Sequence, residues 1–136
     1  MASISERLRH QVRERAHGRC EYCLITDEDA YYPHEPDHVI AEKHGGATNL
    51  ENLTLACFSC NRHKGSDIAS LDPLTHRITL FFNPRQQQWK RHFRLNGVRI
   101  EPLTACGRVT ERLLQLNNEE SLAERLKLMK LGQYPG

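Results

Sequence analysis

Two pairs of cysteines constrain this 136-residue chain more than any other feature. Cys20 and Cys23 form one Cys-x-x-Cys pair, and Cys57 and Cys60 form the second. Four thiolates at this spacing are typical of a tetrahedral structural zinc site, which leaves no coordination position open for a substrate. A single pair is also compatible with a redox motif, but two pairs favour zinc.

The stretch between the two pairs is long, with 33 residues from 24 to 56. A simple zinc ribbon has about 15–20 residues there, so a further structural unit is expected in this gap. The gap contains Asp37-His38, the sequence His44-Gly45-Gly46, and Asn52. These are residue types that bind metals, transfer protons and shape tight loops.

The side chains of Asp37, His38 and Asn61 suit the hydrolysis of a phosphodiester bond. The reaction needs a base that deprotonates water and a cation that stabilises charge on the phosphate. His38 provides an imidazole, while Asp37 and Asn61 provide the hard oxygen ligands that Mg²⁺ prefers. Arg62 and Lys64 follow Asn61 and are candidates for phosphate contacts, although a solvated pair of charges remains an alternative.

Taken together, these motifs resemble the HNH endonucleases, in a variant whose third signature residue is asparagine. The resemblance covers about a third of the chain and rests on Cys20-x2-Cys23, Asp37-His38-Val39-Ile40, His44-Gly45-Gly46, Asn52-Leu53 and Cys57-x2-Cys60-Asn61-x2-Lys64. It implies an α+β protein with a ββα-metal core (the His-Me finger), in which a two-stranded hairpin and a helix enclose one catalytic divalent ion. A four-cysteine zinc site would stabilise this core, flanked by helices and a C-terminal α/β extension.

The resemblance also implies roles for individual residues. His38 matches the first family histidine, the general base that activates water, and Asp37 matches the metal-binding acid before it. Asn52 matches the middle asparagine, which organises the loop and helps to orient the base. Asn61 stands where the family more often has a metal-binding histidine, and an amide oxygen there favours Mg²⁺ or Mn²⁺. His44 is expected to organise the loop rather than to bind metal.

We predict a single domain over residues 1–136, with the HNH core at 18–66 and the extension at 67–136 packed on it. The extension resembles that of small stand-alone bacterial HNH proteins, which implies no particular chemistry. A Ser3–Glu6 capping box predicts the start of a helix that ends near Ala16. Val39-Ile40 is predicted as the apolar part of a short strand, and a short helix is predicted to run to Lys64 and to end at Gly65. The extension is predicted to contain strands at Ile78–Phe82 and Arg94–Ile100 and helices at about 106–116 and 119–130.

Several other side chains have a structural interpretation. We expect Cys106 to be a small buried apolar residue and His34 to lie on the surface. The aromatic residues of the extension could stack on bases, but aromatic side chains beside apolar strand positions favour a core role; they are Phe81, Phe82, Trp89 and Phe93.

Charge is unevenly distributed, although the net charge is only +2. Residues 62–99 contain eight Lys or Arg against two Asp, whereas residues 21–37 contain six acids and no Lys or Arg. This pattern suggests a polyanion partner beside a cation-binding site. No apolar run approaches the roughly 18 residues of a membrane span, and the N-terminus lacks a signal-peptide pattern, so we expect a cytoplasmic protein.

The leading hypothesis is an endonuclease that hydrolyses DNA by a one-metal mechanism, with structural Zn²⁺ and catalytic Mg²⁺ or Mn²⁺. RNA stays open as a substrate, as does the choice between monomer and homodimer. The rival hypothesis is a non-catalytic zinc module that binds nucleic acid or protein. That rival accounts for the cysteines and the basic region but gives no reason for Asp37 and His38 beside Asn52 and Asn61.

Overall fold

The computed structural model describes residues 4–28, 30 and 32–135. Helices alternate with short antiparallel strand pairs, so the predicted mixture of α and β is confirmed. In chain order the elements are α1 (Glu6–Ala16), β1 (Glu35–His38), β2 (Leu53–Ala56), α2 (Phe58–Lys64), β3 (Ala69–Leu71), β4 (Ile78–Leu80), α3 (Trp89–His92), β5 (Phe93–Asn96), β6 (Arg99–Pro102), α4 (Ala105–Leu114) and α5 (Glu119–Lys130). No helix in the described ranges has the length and apolar character needed to cross a membrane.

Helix α1 covers one side of the first strand pair. It begins where the Ser5 hydroxyl accepts a hydrogen bond from the Leu8 backbone N–H, and it ends at His17, whose backbone is left-handed. The predicted cap at Ser3 lies outside the described residues. Val12 is fully buried and packs against Leu53 and Leu55 of β2. The apolar stripe of α1 therefore holds the hairpin from behind.

Strands β1 and β2 pair in a register that sets Asp37 opposite Thr54 and His38 opposite Leu53. The prediction that Val39-Ile40 form the apolar part of a short strand is wrong, because β1 ends at His38. Val39 N–H still donates to the Asn52 carbonyl at 2.8 Å, but at Ile40 the Asn52 side chain replaces the strand backbone. The apolar pair therefore marks the exit from the strand, not the strand itself.

The C-terminal region contains two further antiparallel pairs, β3–β4 and β5–β6. The predicted strand at Ile78–Phe82 is shorter than expected, since β4 ends at Leu80 and pairs with β3, which was not predicted. The predicted strand at Arg94–Ile100 is a hairpin, with Asn96 paired to Arg99. Gly97 makes this reversal possible, because its φ of +61° is a conformation that favours glycine.

The main core surrounds the four cysteines and draws on both halves of the chain. Phe82, Phe93 and Ile100 pack into the same cluster as the cysteines, as do three leucines from α4, from the turn after it and from α5; these are Leu114, Leu116 and Leu128. Trp89 packs against the cluster, and its Nε1–H donates to the Tyr22 carbonyl at 2.8 Å. The predicted core role of the aromatic residues is confirmed, and Cys106 is only half-buried.

Candidate functional site

The four cysteines of the two pairs come together in the folded chain. Their Sγ atoms all lie within 4.8 Å of one another, and all four residues are buried. The Sγ atoms of Cys23 and Cys57 are 3.7 Å apart. In a tetrahedral site with Zn–S distances of about 2.3 Å, neighbouring sulfurs lie about 3.8 Å apart. The donor set and its spacing fit a structural zinc ion.

Backbone N–H groups also point at these sulfurs. Cys23 N–H donates to Cys20 Sγ at 3.5 Å, and Cys60 N–H donates to Cys57 Sγ at 3.4 Å. Such bonds stabilise the negative charge of thiolates, since an anionic sulfur is a better acceptor than a thiol. Each Cys-x-x-Cys turn therefore has the geometry of a metal-binding knuckle.

Asp37 lies on β1 with its carboxylate turned toward helix α2. The Lys64 ammonium is 3.8 Å from Asp37 Oδ2 and donates a 3.1 Å hydrogen bond to the His38 carbonyl. Lys64 is only 2% exposed. Burial raises the pKa of Asp37, and the charges of Lys64 and His38 partly offset that rise. A buried ammonium thus holds a buried carboxylate at the end of β1.

Three buried oxygens near Asp37 have no hydrogen-bond partner among the described residues: Asp37 Oδ2, Thr54 Oγ1 and the Tyr22 hydroxyl. Thr54 is the cross-strand partner of Asp37. Burial, and next to it the charge of Asp37, raise the pKa of Tyr22 well above its ordinary value. Unpaired buried oxygens are costly unless water or a cation satisfies them. The region around Asp37 therefore has the donor chemistry of a hard-cation site.

His38 is the last residue of β1 and is held through one ring nitrogen. Its Nε2 shares a 2.9 Å hydrogen bond with Thr48 Oγ1 and lies 3.8 Å from Glu42 Oε1. Its Nδ1 has no hydrogen-bond partner in the described part of the chain. The ring is therefore fixed in orientation while one nitrogen stays available to a water molecule.

The loop between β1 and β2 is closed by the side chain of Asn52. Its Oδ1 accepts from Ile40 N–H at 3.0 Å, and its Nδ2 donates to the carbonyls of Ile40 and Ala47 at 2.9 and 2.8 Å. A Cβ atom at Gly46 would lie 1.7 Å from the Ile40 carbonyl oxygen, so only glycine fits there. One amide and one glycine keep the chain folded back over His38.

Asn61 lies in the middle of α2, directly after the buried Cys60. It is half-buried and lies three residues before Lys64, whose ammonium reaches β1. Residues three apart lie on the same side of a helix, so Asn61 shares the side of α2 from which Lys64 reaches β1. The second zinc knuckle thereby fixes the start of the helix that carries both residues.

Comparison with known families decides the assignment. Residues 20–67 match the family model described as HNH endonuclease. This segment belongs to the HNH endonuclease family. Membership implies nuclease activity, the hydrolysis of phosphodiester bonds in nucleic acid. Searches of curated proteins and of solved structures found no match.

Two residues of the HNH segment, Lys64 and His34, lie in surroundings that differ from the expected ones. Lys64, expected at a phosphate, is buried, and its ammonium contacts Asp37 and the His38 carbonyl. The sequence did not predict this contact. His44 is exposed on the loop that Asn52 closes, and its loop-organising role stays a prediction. His34, expected at the surface, is 3% exposed, and its Nε2 lies 2.8 Å from the Ile25 carbonyl oxygen. The surface expectation for His34 is wrong, because its polar ring finds a buried backbone acceptor.

Other residues of the HNH segment were missed by sequence reasoning. Thr48 holds His38 from the loop, and only the folded loop brings the two together. Thr54 could have been found, because strand periodicity puts it on the opposite face from Leu53 and Leu55. Tyr32 and Phe58, 51% and 50% exposed, stack with ring centroids 4.6 Å apart. Nothing in the sequence pairs these two rings, which are 26 positions apart.

Proposed function

We propose that this protein is a metal-dependent endonuclease that hydrolyses DNA by a one-metal mechanism. The observation that carries the proposal is the buried Oδ2 atom of Asp37 next to His38, which accepts no hydrogen bond and has only the Lys64 ammonium at 3.8 Å. A zinc module without catalytic activity has no need for such a costly atom. Family membership supports the hydrolysis of phosphodiester bonds.

We assign His38 the role of general base. The neutral ring carries one proton, and donation of that proton from Nε2 to Thr48 Oγ1 leaves the lone pair on Nδ1. Nδ1 then takes a proton from water, which attacks the phosphorus in line and releases the 3′-oxygen of the preceding nucleotide. Thr48 is a positioning residue in this scheme, because it selects the tautomer without touching the substrate.

Asp37 and Asn61 would hold the divalent ion. A carboxylate and an amide are hard oxygen donors, which suit Mg²⁺ or Mn²⁺ better than softer metals. When bound, the ion supplies positive charge at the scissile phosphate and at the departing oxygen. Lys64 would act as a positioning residue, since its ammonium fixes Asp37 and the backbone of His38 in one place. Arg62 remains our candidate for an exposed phosphate contact.

A nicking assay on supercoiled DNA tests the proposal. Zinc-loaded protein is expected to nick the plasmid only when Mg²⁺ or Mn²⁺ is added. His38→Ala is expected to reduce the rate by at least about 100-fold, as the loss of a general base implies. His10→Ala changes an exposed histidine of α1 and provides the matched control.

The outcomes are distinct. A His38→Ala variant that cuts like the parent would overturn the assignment of the base. Failure of the parent to cut supercoiled, linear or single-stranded DNA with either metal would instead support the non-catalytic zinc module. Cleavage of RNA alone would keep the chemistry but change the substrate.

A further inference from the structure

A stack of exposed flat side chains lies on the outer surface of helix α2. Phe58 is the first residue of the helix, and its ring stacks on Tyr32 with an angle of 26° between the planes. The Arg62 guanidinium carbon lies 5.5 Å from the centroid of the Phe58 ring. Both rings remain about half exposed. We refer to Tyr32, Phe58 and Arg62 as the outer stack.

The outer stack is close to the proposed catalytic residues along the helix. Arg62 follows Asn61 directly, and Phe58 lies three residues before it, so Asn61 projects between the buried Lys64 and the outer stack. Phe58 also follows the zinc-site residue Cys57 directly. The second zinc knuckle therefore fixes the position of Phe58 in the stack, as it fixes that of Asn61.

A cavity of about 260 Å³ opens beside the stack, lined by Tyr32, Phe58 and Arg62 together with His34. His34 is 3% exposed, and its Nδ1 is buried without a hydrogen-bond partner among the described residues. Because Nε2 faces the Ile25 carbonyl oxygen, which can only accept, the proton of the neutral ring lies on Nε2. Nδ1 is therefore an unused acceptor that is buried beneath the lining of this cavity.

We propose that the outer stack and this cavity bind one unpaired base of a DNA strand. The half-exposed aromatic rings offer a flat surface on which any base can stack, the cavity beside them offers space for the base edge, and Arg62 offers a cation for the adjacent phosphate. The proposal rests on the proposed nuclease function, and it adds a preference for substrates with unpaired bases.

Charge around the cavity sets the direction of the strand. Glu120 and Glu124 line the side contributed by α5, and their carboxylates repel phosphate. The sugar–phosphate backbone is therefore expected to pass over Arg62, on the side of Asn61, with the base turned inward. This path leads the strand from the stack toward the proposed catalytic residues.

Binding measurements without added Mg²⁺ or Mn²⁺ test the proposal with the full-length zinc-loaded protein. The probes are a fluorescent single-stranded oligonucleotide, the same strand with abasic positions, and the matching duplex. Wild-type protein is expected to prefer the strand with bases over the abasic one. Phe58→Leu is expected to weaken binding of the strand with bases about fivefold or more, as the loss of one base–aromatic stack implies.

The controls separate stacking from folding and from charge. Phe58→Tyr keeps the ring and is expected to bind within about twofold of wild type. Phe58→Leu should leave the zinc content, the melting temperature and duplex binding unchanged. Equal binding of both strands by wild type, or an equal loss of single-strand and duplex binding in Phe58→Leu, overturns the proposal.

Failure here is distinguishable from failure of the proposed function. If wild-type protein nicks DNA but Phe58→Leu binds the single strand normally, only the base site is refuted. If wild-type protein does not nick any DNA, the proposed hydrolysis of DNA is refuted whatever the binding result.

Discussion

At the scale of single residues, Lys64 is the least expected finding, because a buried lysine carries a charge that the protein must balance. Lys64→Met is expected to lower the free energy of unfolding by about 1–3 kcal/mol, since the ammonium loses its hydrogen bond to His38 and Asp37 loses its countercharge. The nicking rate at saturating Mn²⁺ is expected to fall by at least about tenfold, because Asp37 and His38 shift.

Urea denaturation and the plasmid assay measure these two effects. Lys43→Met provides the matched control, because Lys43 is exposed on the neighbouring loop and should change stability by less than about 0.5 kcal/mol. A Lys64→Met protein as stable and as active as the parent would show that the ammonium positions nothing.

At the scale of elements, the β3–β4 pair is tied to helix α4 by one ion pair. Arg108 Nε and Nη2 donate to the two carboxylate oxygens of Asp72 at 2.9 and 3.0 Å. The Arg108 guanidinium holds the pKa of Asp72 well below its ordinary value. A carboxyl group with a lowered folded pKa stabilises the fold above its unfolded pKa of about 4, and this stabilisation is lost as the pH falls toward the folded value.

Asp72→Asn is therefore expected to lower the melting temperature at neutral pH. The difference in melting temperature between Asp72→Asn and wild type should stay constant from pH 8 to pH 5 and should become smaller as the pH falls below about 4. Thermal melts across this range measure it, with Asp67→Asn as the control on an exposed aspartate. If the difference in melting temperature changed between pH 8 and pH 6, titration of a histidine would explain it instead.

The elements also show how far the sequence alone can predict this fold. The last turn of α2 and the first turn of α5 follow from local signals, since Gly65 has a positive φ and the Asn118 side chain caps the start of α5. The zinc ligands follow from spacing. Strand β1 does not, because Glu35 and Pro36 have low strand propensity and become a strand only through pairing with β2.

The same contrast holds for the site. Asp37, His38, Asn52 and Asn61 could be selected from motif spacing, although their roles remain predictions. The burial of Lys64 and the contact between Tyr32 and Phe58 could not be selected. Both depend on distances between segments that lie far apart in the chain, and no local pattern contains that information.

At the scale of the whole molecule, the C-terminal extension completes the core around the cysteines. Leu128 and Tyr134 pack in the same cluster as Cys23, and the Tyr134 hydroxyl donates to the Cys23 carbonyl at 2.8 Å. We therefore propose that residues 67–136 and the HNH segment form one folding unit. A fragment of residues 1–67 is expected to bind zinc but to lack cooperative thermal unfolding.

Zinc removal tests the same coupling in the intact chain. Chelation is expected to abolish cooperative unfolding and to shift the emission of Trp89, the only tryptophan, to longer wavelength. The shift is expected because the indole donates to Tyr22, between two zinc ligands. Circular dichroism and fluorescence record both changes. If chelation leaves Trp89 emission unchanged while the zinc is lost, the extension folds independently.

The hydrogen bond from the Tyr134 hydroxyl to the Cys23 carbonyl also has a consequence for folding during synthesis. A ribosome releases residues 20–67 several seconds before residue 134, at typical rates of synthesis. During that interval the cysteines can already capture zinc, but the wall of the core that Leu128 and Tyr134 provide is missing. We expect the nascent chain to bind zinc first and to complete its packed core only after residue 134 is available. A ribosome that stalls before residue 134 would then yield a chain that holds zinc but lacks an ordered core.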